Sequence, residues 1–336
     1  MIQNGSTLNE YKNNDSDNSF LSPVLADLQA VNRIIRQQMH SDIALIGRIA
    51  EYIINAGGKR IRPVLVLLMA KALGYQGDRH QTLAATIEFI HTATLLHDDV
   101  VDESELRRGI PSANALFGNA ASVLVGDFLY TRAFQMMVSV GNMRVLEVLA
   151  DATNLIAEGE VMQLMNVRNT GIDEDGYMKV IYAKTAKLFE ASSVMGALVA
   201  HAPEEKIDAA ARFGKAVGIA FQLIDDMLDY AGNTGVMGKN IGNDLKEGKM
   251  TLPLIYLMKN GSETQKASVR KSVEENDESC FQAVSDAVRT SGALDYTYQK
   301  AKQAVAEAVQ ALSALDSGQY KKSLLELSSF SLERNH

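Results

Sequence analysis

An all-α fold is predicted by three features of this 336-residue chain. Apolar residues recur at helical spacing along most of its length. No stretch shows the alternation of a half-buried strand, and no strand runs into a glycine-rich phosphate loop. Ser22 and Pro23 read as an N-cap and a first-turn proline, after which Val24, Leu28, Val31, Ile35 and Met39 form one face. Amphipathic stretches then cover about 43–55, 63–74, 81–102, 119–140, 143–165, 176–200, 206–230, 251–259 and 294–315. Pro63, Pro111, Pro203 and Pro253 sit where a helix would begin.

Residues 1–20 are mostly polar and read as a disordered tail, neither a secretory signal nor an Arg-rich transit peptide. With no Pro-, Gly- or Ser-rich linker after them, residues 21–336 are expected to form a single all-α domain. The hydrophobic fraction of 46% supports a substantial core, and a net charge of −8 argues against general nucleic-acid binding. Cys280 stands alone, so no internal disulfide framework exists; it reads as a small buried hydrophobe in a reducing, cytoplasmic setting. No apolar run is long enough to predict a transmembrane helix.

Two acidic motifs carry the chemistry. Asp98-Asp99-Val100-Val101-Asp102 closes one apolar run, and Asp225-Asp226-Met227-Leu228-Asp229 closes another. On a helix the first and last acid of each motif stack one turn apart, where like charges repel by a few tenths of a kcal/mol, roughly. Two helices that both accept this cost point to a shared cation. Aspartates from two facing helices would make an oxygen cage suited to Mg²⁺, which keeps waters and shares substrate phosphates.

Cations surround these acids in sequence. Arg107-Arg108 follows the first motif, and planar guanidinium groups clamp phosphate bidentately. Gly57-Gly58-Lys59-Arg60-Ile61-Arg62-Pro63 places three cations beside two glycines and ahead of an apolar helix. That arrangement suits a phosphate site but has neither the spacing nor the strand of a Walker loop. With His91 it could form a second phosphate site lacking carboxylates. Lys184 and Thr185 lie on an otherwise apolar helix, and Gln222 lies on the stripe of Asp225 and Asp229. Gln222 could orient a ligand or satisfy a core hydrogen bond. Lys239, Asp244 and Lys249 punctuate a glycine-rich stretch after the second motif, either as solvated charges or as a lid over a diphosphate. Glu88 and His91 fit the Glu-x-x-His pattern of di-iron bundles, but no second copy exists and that reading fails.

Taken together, these segments resemble the trans-prenyl diphosphate synthase (polyprenyl synthetase) family from about Leu21 onward. Gly58 to Pro63, Leu95 to Asp102 with Arg107-Arg108-Gly109, Lys184-Thr185, Phe221 to Asp229 and Gly248 to Pro253 appear in the family's order. Glu88 to Gly126 is especially similar to its long-chain bacterial members. The resemblance implies an isoprenoid-synthase-type helical bundle with a central active-site cavity, usually a homodimer. It implies Mg²⁺ (two or three ions) held by Asp98, Asp102 and Asp225, with Asp99, Asp226 and Asp229 in support. It assigns allylic diphosphate binding to Arg107, Lys184, Thr185, Gln222 and Lys239, and isopentenyl diphosphate binding to Lys59, Arg62, His91 and Arg108. The activity implied is elongation of an allylic diphosphate such as farnesyl diphosphate to a lipophilic product of octaprenyl length, for a ubiquinone side chain.

In that family the residues one turn before the first aspartate face the growing chain. Here they are Ala93 and Thr94, both small, so a product tunnel is expected to continue past them toward Ile87, Ile90, Met136 and Met137. A terpene cyclase would need no isopentenyl site, and a silent regulatory subunit would be expected to lose acids that remain here.

Overall fold

The computed structural model describes residues 19–55, 57–107, 109–231 and 242–333. The expected disordered tail therefore lies almost wholly outside the described residues, as do Arg108 and Lys239. Phe20, assigned to the tail from sequence, is buried and packs against Phe330 with ring centroids 5.2 Å apart.

The described chain opens in a 3-10 segment, Ser19–Val24, and α1 (Leu25–Gln38) begins only after it. Pro23 thus lies inside the 3-10 turn instead of opening α1, because that turn places Phe20, Leu21 and Val24 together in the core. Next come α2 (Ala44–Asn55), α3 (Ile61–Ala72) and α4 (Arg79–Val101). Leu106–Arg107 and Ile110–Pro111 then pair as a minimal antiparallel hairpin that no strand pattern announces. Short α5 (Ala113–Phe117) is capped by the Ser112 hydroxyl, which accepts from the Ala115 amide.

Long α6 (Asn119–Val140) and α7 (Met143–Asn166) follow. The stretch expected to be one helix over 176–200 is α8 (Glu174–Ile181), a π-helical turn at Tyr182–Ala186, and α9 (Lys187–Val199). π-Turns inside helices occur often at functional sites. The remaining helices are α10 (Glu204–Ala231), α11 (Asn243–Lys246), α12 (Leu252–Asn260), α13 (Glu263–Glu274), α14 (Phe281–Thr290), α15 (Ala293–Ala311) and α16 (Gln319–Phe330). No described helix is long and apolar enough to cross a membrane.

Burial explains the arrangement. α3 and α9 are apolar nearly all round, which suits only an enclosed helix, and they pack on each other at the centre. Gly196 permits this contact, since a Cβ there would lie 2.7 Å from the Val66 carbonyl oxygen. One core gathers α1 to α7, α9, α16 and the first half of α10. A second gathers α8, α11 to α15 and the end of α10. α10 therefore belongs to both cores, and its acidic motif lies on the half that enters the second. The acidic motif of α4 belongs to the first core. Cys280 is half-buried at the edge of the second core, more open than the sequence suggests.

Candidate active site

The end of α4 carries the first acidic motif. Asp102 caps the helix, its amide donating to the Asp98 carbonyl at 2.8 Å. The side chains of Asp98 and Asp102 are partly open, whereas Asp99 is buried. Asp99 accepts two hydrogen bonds from Arg107, from Nε at 2.8 Å and Nη2 at 2.6 Å. Its carbonyl also accepts from Ser104 and Asn114, so the helix end and the hairpin are tied together.

On α10 the second motif is more deeply set. Asp226 is buried and accepts from Tyr177 Oη at 2.5 Å and Gln222 Nε2 at 2.7 Å. Burial raises its pKa to about 7; the two hydrogen bonds oppose the rise, and Asp225 and Asp229 add to it. Gln222 in turn accepts from Thr185 Oγ1 at 2.9 Å. Asp229 accepts from the amides of Asn243 and Asp244, each at 3.1 Å, and so anchors the start of α11.

Two connections bring the motifs together. Adjacent residues of the π-turn serve both, since Lys184 Nζ lies 3.5 Å from Asp98 while Thr185 bonds Gln222. The segment following the second motif returns to the first, with Lys249 Nζ 2.9 Å from Asp102 and 2.6 Å from Glu247. Burial disfavours the Lys249 charge, but Glu247 and Asp102 outweigh it and hold the ammonium above its ordinary pKa. Lys249 is therefore engaged with the acids and not a solvated loop charge.

The basic residues form another grouping along α3 and α4. Arg62 Nη1 lies 3.1 Å from His91 Nε2, and the guanidinium stacks 4.4 Å above the Phe189 ring. Lys59 Nζ sits 4.5 Å from the Phe330 ring. Arg60, in the left-handed region at φ 50°, turns inward and pairs with buried Glu88. A pocket beside them is lined by Gly57, Arg60, Glu88, His91 and Arg107. His91 lies seven residues before Asp98, about two turns or ~10 Å along the same helix face. Ala93 is fully buried, as are Ile87, Ile90, Met136 and Met137, while Thr94 is half-buried with its hydroxyl on the His91 carbonyl.

Among the described residues no three His, Cys, Asp or Glu side chains converge closely enough to hold a metal ion. Beside the acids expected to form the cage, Lys249 bonds Asp102 at 2.9 Å while Lys184 stands 3.5 Å from Asp98. The donor set still fits Mg²⁺, which characteristically takes one or two carboxylates and completes its shell with waters and substrate phosphates.

Sequence patterns missed Glu160, Gln163, Tyr177 and the Arg60–Glu88 pair. Glu160 and Gln163 look like an exposed polar face of α7, yet they meet Lys184 at 2.6 and 2.7 Å. Burial, then Asp98, raises the Glu160 pKa to about 7 against the opposing effect of Lys184. The helical spacing from Glu160 to Gln163 was the only available signal, and any solvated helix can show it.

The polyprenyl synthetase family model matches residues 43–290. Octaprenyl diphosphate synthase of Escherichia coli (strain K12) is 49% identical over 310 residues, 92% of this chain and 96% of that protein. The geranyl-diphosphate-specific all-trans-nonaprenyl-diphosphate synthase of Rhodobacter capsulatus is 43% identical over 321 residues, covering 95% of this chain and 98% of that one. A polyprenyl synthase from Caulobacter crescentus CB15, crystallised with calcium and isoprenyl diphosphate, superposes with a TM-score of 0.90 at 43% identity. That match covers 94% of this chain and 97% of the other. The motifs, the helical architecture and these relatives agree: the chain is a prenyltransferase belonging to the polyprenyl synthetase family.

Proposed function

We propose that the chain is a cytoplasmic, homodimeric enzyme that extends an allylic diphosphate, with farnesyl diphosphate as primer, by head-to-tail addition of isopentenyl diphosphate. The product is octaprenyl diphosphate, the precursor of a ubiquinone side chain. One observation carries this reading: α4 has Asp98 near Lys184 and Asp102 bonded to Lys249 at one end, and His91, paired with Arg62, two turns earlier. A diphosphate that must leave and a diphosphate that must stay call for that division.

Asp98, Asp102 and Asp225 would hold Mg²⁺, two or three ions, with Asp99, Asp226 and Asp229 supporting them. When bound, Mg²⁺ supplies positive charge that stabilises the departing diphosphate. Arg107, Lys184, Thr185, Gln222 and Lys239 bind the allylic diphosphate and add fixed donors where negative charge grows. Lys59, Arg62, His91 and Arg108 hold isopentenyl diphosphate. The allylic C–O bond breaks to leave a carbocation-like centre, and the isopentenyl double bond supplies the electron pair for the new C–C bond. A proton is then lost to the released diphosphate, so no protein base is required.

Small Ala93 and Thr94 let the growing chain pass, and Ile87, Ile90, Met136 and Met137 are placed for its far end. Exposed Leu124 and Val138 on α6, with Val161, Leu164 and Met165 on α7, supply apolar surface suited to a second copy. The test is incubation with labelled isopentenyl diphosphate, farnesyl diphosphate and Mg²⁺, with chromatography of the dephosphorylated products. A ladder ending at eight units supports the reading. A nine-unit end would favour the second reading, suggested by the identity to a nonaprenyl synthase. Failure to elongate any allylic primer would overturn it.

A further inference from the structure

Lys184 is bound from a direction that its proposed role does not explain. Its ammonium meets Glu160 Oε2 at 2.6 Å and Gln163 Oε1 at 2.7 Å, both from α7, but stands 3.5 Å from Asp98. Three acceptors match the three N–H donors of an ammonium, and the two tight contacts come from outside the aspartate motifs. Glu160 and Gln163 are three residues apart, so they share a face of α7. The backbone is built for this meeting. At Gly159 a Cβ would lie 2.8 Å from both the Lys184 amide nitrogen and the Ala183 Cβ, so only glycine lets α7 approach the π-turn this closely. The π-turn in turn sets Lys184 and Thr185 where they serve the two motifs separately.

We propose that Glu160 and Gln163 are positioning residues that seat Lys184, holding its ammonium toward the allylic diphosphate while keeping it from closing onto Asp98. A lysine is a compact charge on a flexible stem, so its ammonium is free to reach any carboxylate nearby unless other contacts hold it. Beyond Glu160, the carboxylate in reach of Lys184 is Asp98, one of the three assigned to metal. The seat therefore protects a metal ligand and aims a cation with the same two contacts. This inference rests on the assignment of Lys184 to the allylic site.

A double-mutant cycle on the full chain tests it. Farnesyl diphosphate binding is measured by calorimetry with Mg²⁺ and without isopentenyl diphosphate, so inactive variants still report. Glu160→Gln and Gln163→Ala are each expected to weaken binding roughly tenfold, the order for an orienting hydrogen bond to a charged group. Affinity for isopentenyl diphosphate should hold. In a Lys184→Ala background neither change should weaken binding further. An equal loss of affinity in that background would mean that Glu160 acts on metal or substrate directly, and would overturn the proposal. So would wild-type affinity in both single variants. Wild-type affinity in Lys184→Ala itself would instead remove the allylic assignment of Lys184, and the inference with it. Should Glu160→Gln fail to fold by circular dichroism, the Gln163→Ala arm decides between the same two outcomes.

Discussion

Asp99 and Arg107 form a two-point ion pair in which the buried carboxylate holds Nε at 2.8 Å and Nη2 at 2.6 Å. The middle acid of the first motif is thus turned away from Asp98 and Asp102 and toward the hairpin. The support it would lend the metal site is therefore indirect, through the Arg107 guanidinium it holds. Asp99→Asn should raise the KM for the allylic diphosphate severalfold while leaving half-saturation by Mg²⁺ close to wild type. Asp98→Asn should shift the Mg²⁺ dependence itself. Initial rates across a Mg²⁺ titration separate the two, and a shared shift would refute the division of labour.

The Arg60–Glu88 pair is enclosed, each side chain only 9% exposed. Removing one member strands a buried charge, which typically costs about 3–5 kcal/mol. Glu88→Ala should therefore lower the thermal midpoint markedly and loosen the turn that carries Lys59 and Arg62. The KM for isopentenyl diphosphate should rise more than the allylic KM. Thermal denaturation and paired KM measurements check both parts.

Ala93 is completely buried one turn before Asp98. Ala93→Phe inserts a ring into closed space, an overpacking that costs about 1–3 kcal/mol. The enzyme should remain folded and release shorter products, visible by chromatography. An unchanged product distribution would mean that no tunnel runs past this position.

Asp226 gives a pH dependence with a definite sign. Its folded pKa is raised from 3.8 to about 7, mainly by burial, so the folded state holds a proton that the unfolded chain releases. Its contribution to stability is fully present below the unfolded pKa and is lost as pH rises from 3.8 through about 7. In chelator-treated protein the thermal midpoint should fall across that window. Asp226→Asn should flatten the fall and raise the midpoint at pH 8. A slope unchanged by the substitution would contradict this origin.

Local clusters are legible in the sequence and long-range partners are not. The acids of each motif are neighbours on one helix, so their spacing alone exposes them. Lys59, Arg62 and Arg107 are likewise visible as local groups of cations. Their partners are hidden: Tyr177 meets Asp226, Glu160 meets Lys184 and Lys249 meets Asp102 only after distant helices pack. The π-turn leaves no mark on apolar periodicity, because Tyr182 to Ala186 simply continue a helical stripe. α13 has few buried residues, Val269, Ser272 and Val273, so its apolar stripe is too thin to register.

The proposed division of α4 into an end that would bear metal and an end that would not is the centre of the proposed function. Calorimetry of isopentenyl diphosphate binding in the presence of chelator decides it, comparing wild type, Arg62→Ala and Asp98→Ala. Arg62→Ala should lose roughly tenfold or more in affinity, as expected when a bidentate cation leaves a phosphate. Asp98→Ala should bind as wild type does. Equal losses in the two variants would contradict the division, since both ends of the helix would then serve one site.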